Sequence, residues 1–507
     1  MRLLSNLFLL ASIASASSTD QWKSRSIYQL LTDRFAQSPN NIDPSKCTSP
    51  LAPEYDIRHY CGGTYNGLIS RLDYIQDMGF DAIWISPITA PVEYETVWGV
   101  GWHGYWQQDI YGVNPHFGTR QDIKDLVSEC HKRDIYVMVD IVANHMGPYN
   151  NTVKDLAIFP TGYDWYYPFN KTEDYHNFCL INDYTNATEV QQCCLGGADS
   201  WLPDLNTENP EVVDALNNWI HGLVEEFNFD SVRIDTFRHI RPSFWPEFVK
   251  QAGVFAIGEV ADTDAINTGP WQDVADSVLN FPLWDALGKV FRDKDRAPMY
   301  NLTQQIDTNR EHFRDTLVLG NFLDNHDQPR FLNYTTDPTR INNALTFLMT
   351  ADGIPILYYG TEQGFNGHPE KQYGAGDPWN RDPLWGGSGY DKTSSVYQFV
   401  SKLNKLRKML KSNYPSFFDT LMQNIQTDNS TLTFFKNPLT ISISNAPFEN
   451  SKSVTVPKGS YSGKEGYILV NYLNGDHVGK VQSDGSATIT IKDNNPVVAY
   501  PKHICPV

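Results

Sequence analysis

The chain has 507 residues, enough for about three domains at roughly 150 residues each and for a large buried core, so a peptide scaffold is excluded. Hydrophobic residues make up 41% and charged residues 20%, with 34 Gly and 30 Pro, a globular composition and neither a disordered nor a fibrous one. With 40 Lys and Arg against 59 Asp and Glu the net charge is −19, which repels phosphate backbones and anionic lipid and argues against nucleic-acid or membrane-surface partners.

The chain begins Met1-Arg2, continues through an apolar stretch from Leu3 to Ile13, and reaches Ala14-Ser15-Ala16. A positive start, a short apolar centre and an A-x-A end describe a secretory signal peptide over residues 1–16. No later apolar run reaches the length of a membrane span, so the mature protein is expected to be secreted, outside the cell or in its wall. Asn-X-Ser/Thr triplets at Asn150, Asn170, Asn186, Asn301, Asn333 and Asn429 suit that route as glycosylation acceptors. Of the seven cysteines, Cys47 with Cys61 and Cys179 with Cys193 have equal spacing and flank loop-like sequence, so both pairs are expected disulfides. Cys130 lies with Ile123, Leu126 and Val127 at helical spacing and reads as a buried thiol. Cys194 and Cys505 stay unassigned.

Eight short runs rich in β-branched and aromatic residues follow: Ser26–Leu31, Ala82–Ile88, Tyr136–Val142, Ser231–Thr236, Val254–Val260, Ser277–Phe281, Leu317–Leu323 and Ile354–Tyr359. Helical patterns separate most of them, as in Thr119–His131, with Thr119 as cap, and Val212–Phe227. Eight strands alternating with helices predict an α/β fold, a closed (β/α)8 TIM barrel over residues 17–144 and 206–410. The 61-residue stretch 145–205 is rich in Tyr, Asn, Asp and Cys, far longer than an ordinary connection, and predicts a subdomain inserted after strand 3. Beyond about Leu410 the pattern changes to short alternating segments such as Leu432–Phe435, Ser453–Val456, Gly466–Asn471 and Ala487–Ile491. They predict a C-terminal antiparallel β domain, a β-sandwich, over residues 411–507.

Function in such a barrel sits at the C-terminal strand ends. Four of these are unusually polar: Asp140-Ile141-Val142-Ala143-Asn144-His145, Arg233-Ile234-Asp235-Thr236-Phe237-Arg238-His239, Gly258-Glu259-Val260 and Asp324-Asn325-His326-Asp327. Carboxylates on the fourth, fifth and seventh strands are thereby placed to meet in one cleft. A single Asp or Glu is more often a helix cap or a solvated partner, so the argument rests on the set.

These four segments resemble the α-amylase family, glycoside hydrolase family 13, most closely its fungal secreted members. The similarity continues through Ser26–Ala36, Leu72–Ser86, His103–Tyr111, Leu202–Asn206 and Asp352–Tyr359, and weakens over the last hundred residues or so. The resemblance implies endo-acting, retaining hydrolysis of α-1,4-glucosidic bonds by a monomeric enzyme, its partner an α-glucan polysaccharide. Such hydrolysis needs a carboxylate nucleophile and a protonated carboxylic acid about 5 Å apart. Asp235 matches the nucleophile, Glu259 the general acid/base and Asp327 the third carboxylate. Arg233, two residues before Asp235 on the same strand face, suits a cation that keeps Asp235 charged. His145 and His326 match histidines that bind sugar hydroxyls, Tyr105 matches an aromatic that stacks on the reacting sugar, and Trp106 lies beside it. Asp377 and Arg381 resemble a pair that binds the glucan further along, with a solvated salt bridge as the simpler reading. Arg238 stands where these fungal enzymes carry Lys, and with His239 borders the leaving-group side. The resemblance further implies Ca2+, held by Asn144, Asp204 and the backbone at His239, with a fourth contact near Gln191, where the family usually has an acidic residue. Asp324 replaces a more familiar Glu near Asp327. A glucanotransferase that remodels cell-wall α-glucan, or a secreted glucan-binding protein without turnover, are the alternatives.

Overall fold

The computed structural model describes residues 19–43, 47, 56–96, 98–148, 163–197, 200–368, 376–386, 389–447 and 451–502. The signal segment, Asn150 and Cys505 lie outside them.

All eight apolar runs form strands: β1 (Ile27–Gln29), β2 (Ala82–Ile85), β3 (Tyr136–Ile141), β4 (Ser231–Ile234), β5 (Phe255–Gly258), β6 (Ser277–Val278), β7 (Gly320–Asn321) and β8 (Ile354–Tyr358). They pair in parallel in the order β6-β5-β4-β3-β2-β1-β8-β7, and a parallel bridge between Leu279 and Gly320 joins the two ends into a closed barrel. Strands buried on both faces need apolar residues at every position, which is why the runs read as continuous rather than alternating. On β2, Trp84 joins Ile27, Met138, Phe255, Ile257 and Ile356 in one buried cluster, while Ile83 and Ile85 belong to a second, larger one shared with the helices. The ladders are shorter than the runs. After β6, Asn280 leaves the sheet to cap the helix Phe281–Leu287, accepting a hydrogen bond from the Leu283 amide at 3.2 Å.

The helix Arg120–His131 begins with a capping box between Thr119 and Asp122 and buries Ile123, Leu126, Val127 and Cys130, the last a free thiol. The helix Pro210–Phe227 starts at the Asn209 cap with proline in its first turn. The insertion after β3 carries the helix Ala187–Gln192, capped by Asn186, and a two-stranded ribbon of Leu195–Gly197 with Ser200–Leu202. Both expected disulfides, Cys47–Cys61 and Cys179–Cys193, are formed, and Cys194 is buried and free.

Eight antiparallel strands follow the barrel: β9 (Gln423–Thr427), β10 (Thr431–Lys436), β11 (Leu439–Ser444), β12 (Lys452–Val456), β13 (Ile468–Asn471), β14 (His477–Val481), β15 (Ala487–Ile491) and β16 (Val497–Pro501). Their hydrogen bonds run through one sheet in the order β9-β10-β11-β16-β13-β14-β15-β12. One face closes on its own core around Val454, Tyr461, Leu469 and Ile489. The other contributes Leu432, Phe434, Ile441 and Ile443 to the large cluster of the barrel. Polar contacts cross the same seam. Asp352, just before β8, accepts from Lys436 Nζ (2.9 Å), Arg310 Nη2 (2.9 Å) and the Met422 amide (2.9 Å). Asn445 donates to the carbonyls of Val290 and Ala297.

Candidate active site

β4 alternates its side chains, so Arg233 and Asp235 fall on one face. Arg233 has no solvent exposure, and its Nη1 donates to Asp235 Oδ1 at 2.8 Å and to Asp140 Oδ1 at 2.9 Å. Its Nη2 lies 2.9 Å from Glu259 Oε2. One guanidinium thus gathers carboxylates from three adjacent strand ends. Directly after Asp235, Thr236 takes a left-handed backbone (φ 48°), uncommon for a β-branched residue. The turn aims the Thr236 amide at Glu259 Oε2, 3.1 Å away. Gly258 is needed before Glu259, because a Cβ there would sit 2.5 Å from the ring of Phe237.

Three buried carboxylates around one cation cannot all stay ionised cheaply. Burial pushes Glu259 up to about 8, with the negative charges of Asp235 and Asp327 adding to the effect and Arg233 opposing it. Burial likewise raises Asp140 to about 7, against the pull of Arg233. A proton is therefore held at Glu259 at neutral pH, next to a carboxylate paired with a cation: the division of labour that acid-assisted displacement at a sugar carbon requires.

Asp327 faces the same space. Its Oδ2 is 3.1 Å from His326 Nε2 and its Oδ1 accepts from Arg381 Nη2 at 2.9 Å. Gln29 of β1 bonds His326 Nδ1 at 2.8 Å and so orients the ring. Burial holds His326 well below the usual histidine range, leaving it neutral, and His145 is lowered for the same leading reason. The Tyr105 ring stacks on His326 with centroids 5.1 Å apart and planes 3° from parallel, while its hydroxyl donates to Asp140 Oδ2 at 2.7 Å. The carbonyl of Tyr105 lies 3.3 Å from His145 Nε2.

Two pockets are lined by residues of the neighbouring loops. In one, of about 210 Å³, Trp106 meets Trp98, Trp102, Asp377 and Arg381. Arg381 is buried and bonds Asp327, Asp377 and the His326 carbonyl, while Asp377 is half exposed at the pocket's rim. The other, of about 360 Å³, contains Arg238 and Gln191 with Tyr184, Asp262 and Trp271. Arg238 spans its wall, donating to the Tyr184 carbonyl (2.9 Å) and to Asp262 Oδ2 (3.3 Å).

Asn144 and Asp204 meet where β3 adjoins the insertion. Asp204 is buried, with Oδ2 2.7 Å from His176 Nδ1 and Oδ1 without a hydrogen-bond partner. His239 lies on the turn Phe237–His239, which packs against the helix carrying Gln191. The Asp324 carboxylate accepts from the Phe331 amide (2.9 Å) and the Thr361 hydroxyl (3.3 Å), so its side chain holds the chain beyond β7.

Asp140 is the residue that motif reading passed over. The signal was present: it interrupts the otherwise apolar run Tyr136–Ile141, and it stands directly opposite Arg233 in the β3–β4 register.

The family model for the alpha amylase catalytic domain matches residues 29–383. An alpha-amylase of Saccharomycopsis fibuligera is 35% identical over 485 residues, covering 96% of this chain and 93% of that protein. Alpha-amylase 1 of Schwanniomyces occidentalis is 36% identical, covering 96% and 91%. The solved structure of an alpha-amylase from Malbranchea cinnamomea superposes with a TM-score of 0.87 at 37% identity, over 96% of this chain and 98% of that one. With the match spanning barrel, insertion and C-terminal sheet alike, the chain belongs to the alpha-amylase family, glycoside hydrolase family 13.

Proposed function

We infer that the protein hydrolyses internal α-1,4-glucosidic bonds of starch- and glycogen-type glucans with retention at the anomeric carbon. The observation that carries this is the buried pair around Arg233, in which Asp235 is ion-paired while Glu259 is raised to about 8 and keeps its proton. Asp235 attacks the anomeric carbon as the leaving oxygen takes the proton from Glu259. The resulting carboxylate of Glu259 then removes a proton from water, which releases the sugar from Asp235. Asp327, held by Arg381 and His326, contributes negative charge beside the oxocarbenium-like transition state and accepts from sugar hydroxyls. Tyr105 supplies a ring face to the reacting sugar, and His145 and His326, both neutral, flank its hydroxyls. Trp106, Asp377 and Arg381 bind the glucan on one side of the scissile bond, and Arg238 and His239 border the other.

Calcium fits the seam between β3 and the insertion. Among the described residues no group of three or more His, Cys, Asp or Glu side chains gathers as a metal site. The donors here are instead oxygens: Asp204, whose buried Oδ1 lacks a partner, the Asn144 side chain, and the carbonyls of Gln191 and His239. When bound, the ion supplies a cross-link between insertion and barrel. Two disulfides support an oxidising compartment, and among the described residues no helix is long and apolar enough to cross a membrane. Asn170, Asn186 and Asn429 are exposed and Asn301 and Asn333 partly so, as a secreted glycoprotein requires.

The test is product release from soluble starch in the presence of calcium, beside Asp235→Asn and Glu259→Gln. Reducing ends released as α-anomers, and abolished in both variants, are expected. Elongated maltooligosaccharides without net hydrolysis would overturn the reading. Chelation is expected to lower the unfolding temperature of the parent and to leave Asp204→Asn nearly unmoved.

A further inference from the structure

One Asn-X-Ser/Thr triplet is set apart from the others by its place in the fold. Asn186 stands between Thr185 and Ala187, and these two with Tyr184 line the pocket of about 360 Å³ that contains Arg238. Asn170, Asn301, Asn333 and Asn429 line neither that pocket nor the one at Trp106.

The Asn186 side chain is exposed and disposed for modification. Its Oδ1 caps the helix Ala187–Gln192, accepting from the Thr188 amide (3.2 Å) and the Glu189 amide (3.4 Å). Its Nδ2, the atom that takes a sugar, makes no hydrogen bond among the described residues. Asn333 differs, since its Nδ2 donates to the Asn366 carbonyl at 2.8 Å. The segment around Asn186 is also fixed to the barrel. Arg238 Nη2 donates to the Tyr184 carbonyl (2.9 Å), and the Asn186 amide donates to the Asp183 carbonyl (3.1 Å). Asp183 Oδ1 accepts from the Thr185 amide (2.9 Å) and hydroxyl (2.6 Å), and the Cys179–Cys193 disulfide closes the loop around all of these. A group attached to Asn186 is therefore anchored at the rim of the Arg238 pocket.

We propose that Asn186 carries an N-linked glycan that partly covers the leaving-group side of the cleft and limits how bulky a glucan can extend there. The leaving-group side, and passage through a compartment that attaches glycans, rest on the reading given under Proposed function. In the attachment Nδ2 bonds to the anomeric carbon of an oligosaccharide carried on a lipid diphosphate, the bond from that carbon to the diphosphate oxygen breaks, and Nδ2 gives up one proton. The attached sugar is bulky and hydrated, so it acts by excluded volume. A short linear chain fits past it, whereas a branched polymer meets it.

Two variants remove the triplet without removing the cap: Thr188→Ala keeps Asn186 itself, and Asn186→Asp keeps a capping oxygen. Asn429→Asp, between β9 and β10, is the remote control. All are secreted from a eukaryotic host beside the parent. Mass spectrometry of the peptide containing position 186 is expected to find a glycan in the parent and in Asn429→Asp, and none in the other two. Those two should gain about threefold in kcat/KM on glycogen, while maltoheptaose stays within about twofold of the parent in all three variants. An unmodified Asn186 in the secreted parent overturns the proposal, as does a glycan whose removal leaves the ratio of glycogen to maltoheptaose activity unchanged. The same changes in Asp235→Asn protein keep the two readings distinguishable, because glycogen binding is then measured without turnover and should tighten when the glycan is lost. A parent inactive on maltoheptaose counts against the hydrolase reading alone.

Discussion

Glu259→Gln should make the protein inactive and, above neutral pH, more stable. Burial holds the Glu259 carboxyl at about 8 against an ordinary 4.5, even with Arg233 2.9 Å away, so the folded chain binds that proton more tightly than the unfolded chain does. The sign follows from linkage: the folded state gains relative protonation between the two values, so stability falls as pH rises from about 4.5 and levels off above about 8. At about 1.4 kcal/mol per pH unit, the ionised side chain costs about 3 kcal/mol by pH 7 and about 5 kcal/mol above pH 8. Glutamine, neutral and nearly isosteric, avoids that cost. Denaturant unfolding at pH 4.5 and pH 8.5, with soluble protein and calcium constant, measures the difference. The variant should match the parent at the lower pH and exceed it by several kcal/mol at the higher. A gain independent of pH, or a variant weaker than the parent at pH 8.5, would falsify the placement of the proton on Glu259.

Three further outcomes are expected. The same carboxyl must be protonated to act as an acid, so kcat/KM on a maltooligosaccharide should fall with a single ionisation near pH 8, measured across a buffer series at constant ionic strength. Asp140→Asn keeps the shape but turns one of the two acceptor oxygens into an N–H donor, so the side chain cannot accept from both the Tyr105 hydroxyl and Arg233; kcat should drop about 10²-fold with a smaller change in KM, read by steady-state kinetics. Arg238→Lys cannot span the Tyr184 carbonyl and Asp262 together, so the lengths of products released from amylose should change, by chromatography, while kcat/KM on a short substrate moves less than about fivefold.

What could be read from the sequence follows physical lines. The barrel was legible because strands buried on both faces leave unbroken apolar runs, and because Arg233 and Asp235 two apart must share a face. Their ends were overestimated where a polar side chain leaves the sheet for another duty, as Asn280 does in capping a helix. Asp140 escaped because its role depends on the residue across the β3–β4 register, 93 positions away, and no local pattern carries that pairing. In the C-terminal sheet β12 and β15 alternate visibly, whereas β9, Gln423–Thr427, is a mostly exposed polar edge with no alternation to read.

The seam at Asp352 bears on how such chains diversify. One face of the C-terminal sheet shares its core with the barrel, and Lys436, Arg310 and the Met422 amide converge on a single carboxylate at the base of β8. A barrel cut away near residue 410 would keep Asp352 without its lysine and expose Ile341, Phe347 and their neighbours to water. The C-terminal sheet thus completes the core of the catalytic unit. An exchange of this part between relatives would have to carry along the barrel residues that grip it, an interface and not a single domain.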